Sequence, residues 1–340
     1  MTILFTTAAA TVIDVTSSIS SPPHLQLISS APPTTPFTPP PEPRGQLEDD
    51  THHRLLPLIT AALASLPPGC EYHCPRCTGP PPPPGGELDL HANTALLLPQ
   101  PAEGTTECPV DAVDDISDVY AMLMHNPRDD WMRLTLRHPA PPQKAFLIPP
   151  QASFFLGPLP SPSSPAPSFA RVLGRRDLVL LDPPWPNASA KRKASYRTET
   201  RFSIVPLLHG LPVGEVLKPA GLVAVWITNK PAVRKQLRRL FLAWSVEPVA
   251  EWVWLKVTSA GEPIVALDRA GGRRPYEVLV FARRAGEGGV AVPSRVLIGV
   301  PDLHSRKPGI RGGSAVLSCH QCGLTVKPDR AYPAVPSREV

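Results

Sequence analysis

The stretch Asp177-Leu178-Val179-Leu180-Leu181-Asp182-Pro183-Pro184-Trp185 decides the fold of this chain. A short apolar run ends abruptly in an acid, two prolines and a tryptophan. Four similar runs follow at Gly221–Ile227, Val249–Val257, Glu277–Arg283 and Arg295–Val300. Near-continuous apolar runs of this length fit strands covered on both faces. Val205–Leu217 lies between the first two and reads as a crossover helix. Pro231–Ala243 lies between the second and third. There Val233, Leu237, Leu240 and Phe241 share one helical face, while Arg234, Lys235, Arg238 and Arg239 fall elsewhere. Pro231 suits a first-turn position, where its missing N–H costs nothing. Strands alternating with helices imply a doubly wound α/β domain with helices on both faces of its sheet.

Outward from this core the composition changes. The chain holds 48 prolines in 340 residues, well above the usual ~5%, and most lie in the first half. Residues 1–50 are Ser/Thr/Pro-rich and are expected to be disordered, because they offer too little apolar surface to offset chain entropy. Residues 51–145 read as a small, partly helical region with Pro-rich linkers. Leu55, Leu56, Ile59, Leu63 and Leu66 predict an amphipathic helix over 51–66, ended by Pro67-Pro68-Gly69. Residues 110–138 also read as helical from Val113, Ile116, Val119, Tyr120 and Leu123. Residues 146–308 are expected to be the catalytic domain and 309–340 a divergent tail.

The formal charge is +5 and the sequence pI about 9.0. Eight basic residues fall in 171–201 against Asp177, Asp182 and Glu199. Such a stretch suits an anionic partner, and a solvated face explains it equally well. No run of ~18 apolar residues exists, so no membrane span is expected. Met1–Ser20 has no basic start and is broken by Asp14, which reads poorly as a secretory signal. Six cysteines in a chain this long do not make a disulfide scaffold. Cys74-x2-Cys77 and Cys319-x2-Cys322 have zinc-ligand spacing but lie far apart, so free thiols are the expectation and no metal is assigned. An intracellular, reducing compartment is expected.

The ligand chemistry sits after the first strand. In an open α/β sheet, ligands bind outside the carboxyl ends of strands. Pro183 and Pro184 stiffen the loop and remove two donors, leaving carbonyls. Asp182 adds a carboxylate, and Trp185 an aromatic face for a planar ring. The bland alternative is a strand-to-loop turn with an acidic end.

In this order the motifs resemble the MT-A class of N(6)-adenine methyltransferases, and within it the methyltransferase-like protein 4 branch. Asp182–Trp185 matches its Asp-Pro-Pro-Trp. Asn187, Ser189, Lys191, Arg192 and Tyr196 follow in its spacing. Trp226-Ile227-Thr228-Asn229, Ala250–Lys256, Pro275-Tyr276-Glu277 and Leu303–Pro308 resemble further segments. Pro149–Phe154 is a weaker match upstream. The resemblance implies a Rossmann-like methyltransferase sheet, S-adenosylmethionine as cofactor, and adenine in RNA or DNA as substrate, with ribose-methylated adenosine in small nuclear RNA one candidate. It implies no obligate protein partner, and a nuclear location with the cytoplasm as the other candidate. Asp182, Pro183, Pro184 and Trp185 would hold the target base, and Asp182, Lys307 and His304 would meet the cofactor. Asn187, Lys191, Arg192, Tyr196 and Asn229 would face substrate. Asn229 has a second reading as a helix cap, and Trp252 and Trp254 one as core residues with Glu251 pointing the other way.

Two departures stand out. Pro158 occupies the position of an acid that the family places near the cofactor's adenine. Gly309–Val340 also lacks the family's Glu-Leu-Phe-x-Arg strand and Gly-Asn turn, which would leave a bare sheet edge. The alternative reading is therefore a nucleic-acid-binding pseudo-methyltransferase without catalysis.

Overall fold

A computed structural model describes residues 3–19, 28–38, 50–78, 106–107, 123–129, 132–135, 145–148, 152–155, 175–185, 204–268, 274–303, 306–310 and 324–326. The main sheet has eight strands. In chain order they are β1 (Ile3–Thr6), β2 (Ala10–Ile13), β3 (Arg176–Leu181), β4 (Leu217–Ile227), β5 (Val246–Lys256), β6 (Tyr276–Arg284), β7 (Arg295–Gly299) and β8 (Leu324–Val326). Across the sheet their order is β1-β2-β7-β5-β6-β4-β3-β8. Strands β3 and β4 run parallel, as do β5 and β7, and β7 and β2. Strand β6 is antiparallel to both β4 and β5.

That arrangement brings one edge of the sheet together. The carboxyl ends of β2, β3, β4, β5 and β7 and the amino end of β6 all point the same way. Whatever follows Ile13, Leu181, Ile227, Lys256 and Gly299, or begins at Tyr276, lies along this edge.

Alternation along the strands divides the core in two. Val179, Leu181, Val223, Val225, Val253, Leu255, Val278 and Val280 face helices. These are α2 (Asp50–Ala64), α3 (Ile204–His209), α4 (Val213–Val216) and α5 (Pro231–Ala243). Helix α5 buries Val233, Leu237, Leu240 and Phe241, the face read from the sequence, with Pro231 in its first turn. Helix α2 sends Leu55, Ile59 and Ala62 into the same core. The opposite sheet face is an aromatic layer of Trp226, Trp252, Trp254 and Phe281, joined by Val15, Val292 and Leu297. Trp226 and Trp254 meet edge-on with centroids 6.2 Å apart, worth about 1 kcal/mol beyond burial. Val15 comes from the short helix α1 (Val15–Ile19).

Three expectations change. Residues 3–19, inside the stretch expected to be disordered, form β1, β2 and α1, and Ala10, Thr11 and Val12 pair in parallel with Val296, Leu297 and Ile298. Four-residue strands become stable there because a neighbouring strand supplies the hydrogen bonds and the burial. Second, Leu123–His125 and Met132–Thr135 are strands, not helix. Their partners, Ser153–Phe155 and Ala145–Ile148, lie far along the chain and override the helical spacing. Val113, Ile116, Val119 and Tyr120 lie outside the described residues. Third, the sheet edge beside β3 is not bare: Leu324–Val326 pairs in parallel with Val179–Leu181. The expected helix over 205–217 is two short helices, α3 and α4. Among the described residues, no helix is long and apolar enough to cross a membrane.

Candidate active site

Asp182 is the first residue beyond β3. Pro183 is buried behind it, and Pro184 is exposed. The Trp185 N–H donates to the Pro183 carbonyl at 2.8 Å, closing a tight turn. A carbonyl has two lone pairs, so one hydrogen bond does not exhaust it. The Trp185 ring is buried, and its indole N–H donates to the Trp226 carbonyl at 2.7 Å. This bond ties the Asp-Pro-Pro-Trp loop to the end of the neighbouring strand β4.

Lys307 reaches the same place from the loop after β7. Its Nζ lies 3.4 Å from Asp182 Oδ1 and 3.0 Å from Glu277 Oε2. Glu277 Oε1 receives Lys256 Nζ at 2.5 Å. Lys256 ends β5 and Glu277 begins β6, so the antiparallel pairing places them together. The result is a chain of alternating charges, Lys256–Glu277–Lys307–Asp182, with two of each sign. Burial alone would raise the Glu277 carboxyl, but the ammonium groups of Lys256 and Lys307 overcome it and hold the pKa down to about 2. Burial alone would lower Lys307, but Glu277 and then Asp182 raise it above its ordinary value. Both groups are therefore charged at neutral pH.

Beyond β4 come Thr228 and Asn229. The Asn229 amide nitrogen donates to the Tyr276 carbonyl at 2.6 Å. Its amide oxygen and Thr228 Oγ1 are buried with no hydrogen-bond partner among the described residues. Helix α5 begins from Lys230, with no side-chain cap bond, so Asn229 is not its cap. Trp252 and Trp254 are core residues, and Glu251 points to the other side. There Arg54 of α2 and Arg234 of α5 each reach Glu251 at 2.6 Å.

The structure thus gathers Asp182, Pro183, Trp185 and Lys307 along one edge of the sheet, with Asn229 on the same edge. Pro184 is exposed beside them. Asn187, Lys191, Arg192, Tyr196 and His304 lie outside the described residues, as does Pro158. Sequence reading assigned no role to Glu277, Lys256, Tyr276 or Thr228. One signal was present: Lys256 and Glu277 are charged residues at the ends of apolar strands, where burial demands a partner. Their pairing required knowing that β6 runs antiparallel.

Comparison with known proteins bears on the same region. Residues 176–312 match the family described as MT-A70. The chain is 47% identical over 180 residues to the N6-methyladenosine RNA methyltransferase MTA1 of Cryphonectria parasitica, covering 51% of this chain and 52% of that protein. It is 32% identical over 203 residues to the N(6)-adenine-specific methyltransferase METTL4 of Homo sapiens, covering 55% and 39% respectively. It is 26% identical over 224 residues to the DNA N6-methyl methyltransferase of Caenorhabditis elegans, covering 64% and 59%. The chain spans about half the length of the relatives it matches. The order of motifs, the sheet that carries them and these matches fall on one segment: residues 176–312, which hold Asp182, Asn229, Glu277 and Lys307, are similar to the MT-A70 family.

Proposed function

We propose that this protein transfers a methyl group from S-adenosylmethionine to the exocyclic N(6) amine of adenine in a nucleic acid. The observation that carries the reading is the juxtaposition of the Asp182 carboxylate, the Pro183 carbonyl and the Lys307 ammonium at the ends of β3 and β7.

Adenine's amine is a poor nucleophile because its lone pair is delocalised into the ring. A carboxylate oxygen of Asp182 and the Pro183 carbonyl can each accept one of its N–H groups. Two acceptors favour a pyramidal nitrogen and stabilise the positive charge that develops on it, an effect aimed at the transition state. The turn closed by Trp185 holds these acceptors rigidly, so little reorganisation is needed. Electrostatic neutrality of the four-charge chain keeps Lys307 and Asp182 in place without a net charge to desolvate.

The donor set fits the cofactor. Its amino-acid end carries a carboxylate and an ammonium, and its adenosine end carries hydroxyls and an amine. Lys307 would hold the carboxylate. The buried acceptors Asn229 Oδ1 and Thr228 Oγ1, which have no partner among the described residues, suit the donors. When bound, S-adenosylmethionine supplies an electrophilic methyl group. Lys191, Arg192, Asn187 and Tyr196 belong to the proposed substrate side, His304 to the cofactor side, on the motif match alone. A nuclear location is part of the proposal and rests on the class of substrate.

The test is equilibrium binding of S-adenosylmethionine to the full chain, with Asp182→Ala as control. Transfer of labelled methyl to adenine-containing RNA, ribose-methylated RNA and DNA oligonucleotides follows. Binding that the control loses, with N(6)-methyladenine in one of the products, supports the reading. Folded protein that binds nucleic acid but no cofactor overturns it in favour of a binding-only protein.

A further inference from the structure

The loop that delivers Lys307 is held from outside the MT-A70 match. The described residues of this loop, 300–303 and 306–310, contain no regular element, yet Lys307 must sit within ion-pair distance of two carboxylates. The grip centres on Asp302, whose side chain is fully buried. Its Oδ1 accepts from the Ser30 N–H at 2.8 Å and from Ser30 Oγ at 3.3 Å. Its Oδ2 accepts from Thr16 Oγ1 at 3.0 Å, Ser29 Oγ at 3.2 Å and Arg306 Nη1 at 2.6 Å. Thr16, Ser29 and Ser30 belong to the amino-terminal segment, and Arg306 immediately precedes Lys307.

Other contacts close around the same loop. Arg76 donates to the carbonyls of Val300 at 2.8 Å, Pro301 at 3.0 Å and Ser30 at 3.2 Å. The Arg306 N–H donates to Leu303 O at 3.1 Å. The Gly309 N–H donates to Ser18 Oγ at 2.8 Å. A Cβ at Gly309 would lie 2.2 Å from the Ser18 carbonyl oxygen, so only glycine allows this approach. Lys307 is thus bracketed by Arg306, which is tied to the amino-terminal segment through Asp302, and by Gly309, which bonds Ser18 directly.

We propose that Asp302 is a positioning residue for Lys307. By gathering Thr16, Ser29, Ser30 and Arg306 on one carboxylate, it fixes the loop so that the Lys307 ammonium stands between Asp182 and Glu277. Only a carboxylate can do this, because both oxygens face donors. An amide would turn its own NH2 toward hydroxyls and a backbone N–H on one side or toward a guanidinium on the other. The hydrogen bond from Ser30 N–H and the Arg306 cation outweigh burial and hold the Asp302 carboxyl below its ordinary pKa, consistent with a built anion site. The amino-terminal segment therefore serves the active site without touching substrate. Only the consequence for cofactor binding rests on the methyltransferase reading.

The experiment uses the full chain and Asp302→Asn, with Glu251→Gln as a control that disturbs a half-buried ion pair elsewhere. Without cofactor, the rate of Lys307 acetylation by an activated acetyl ester is followed by peptide mass spectrometry. Asp302→Asn should speed Lys307 labelling about tenfold, while the control and the Lys218 site stay unchanged. S-adenosylmethionine affinity should fall about tenfold in the same variant and not in the control. Lys307 labelling within twofold of wild type in folded Asp302→Asn overturns the proposal. If Asp302→Asn does not fold, Thr16→Val with Ser29→Ala removes two donors to Oδ2 and is read by the same labelling criterion. Faster Lys307 labelling in a chain whose wild type binds no S-adenosylmethionine upholds the positioning role and overturns the methyltransferase reading instead.

Discussion

Lys307 Nζ lies 3.0 Å from Glu277 Oε2 in a site where Glu277 also holds Lys256. Glu277 is thus the counter-ion of two lysines at once. Replacing it by Gln keeps the shape and removes the charge, leaving two ammonium groups beside an amide. Losing one partner of a buried ion pair costs about 3–5 kcal/mol. These side chains are about one-fifth exposed, at 18–24%, so about 2 kcal/mol is expected for Glu277→Gln. Urea unfolding measures it. A change below about 0.5 kcal/mol would place the pair among inconsequential surface bridges.

Glu277 also sets an acid limit on stability. Its folded pKa is about 2, below the ordinary 4.5. A depressed carboxyl stabilises the fold above the unfolded value and stops doing so as protons bind the folded state. The contribution, about 2–3 kcal/mol and in line with the cost expected for Glu277→Gln, should be full above pH 5 and fall away between pH 4.5 and 2. Thermal unfolding of wild type and Glu277→Gln across pH 2–7 isolates it: the gap between them should close as pH drops through that window. A gap independent of pH would show that the carboxylate charge is not the cause.

A second brace reaches the site from α2. His52 is buried, with Nε2 3.0 Å from the Leu267 carbonyl and Nδ1 3.0 Å from the Tyr276 hydroxyl. A carbonyl only accepts, so Nε2 carries a proton and donates to Leu267, while Nδ1 shares a hydrogen bond with the Tyr276 hydroxyl. Tyr276 in turn gives its carbonyl to Asn229. His52→Phe keeps the ring stack, at 5.9 Å between centroids, and removes both hydrogen bonds. It should cost about 1–3 kcal/mol, with Tyr276→Phe costing less because it removes one bond. Denaturant titration of both variants decides; equal, negligible costs would discount the brace.

Much of this architecture was legible in the chain. Strands buried on both faces must be apolar at every position, so β3 to β7 announce themselves as runs. Helix α5 shows its period because one face alone is buried. The Asp-Pro-Pro-Trp loop is legible because prolines at a strand end leave few conformations. What stayed hidden depends on partners distant in sequence. The antiparallel direction of β6 leaves no mark on a strand whose middle, Val278–Ala282, is apolar throughout. Pairing of Lys307 with Glu277, and Asp302 with Ser30, follows from that topology and not from spacing. Strand β2 is four residues inside a Thr-rich stretch, too short to display a period.

That segment gives the sharpest contrast between composition and structure. Val12 and Ile13 are almost fully buried, on opposite faces of the sheet. Val12 lies in the helix-covered core, and Ile13 packs in the aromatic layer. Removing side-chain carbons from either leaves a void that close-packed neighbours fill only in part. Val12→Ala should cost about 1–2 kcal/mol and Ile13→Ala about 2–4 kcal/mol. A disordered amino terminus predicts no change from either substitution. Reversible urea unfolding of the full chain reads both numbers directly. Costs of that size would establish that residues 3–19 belong to the domain's core, and that removing them would strip β7 of one of its two parallel partners and expose a new sheet edge to aggregation.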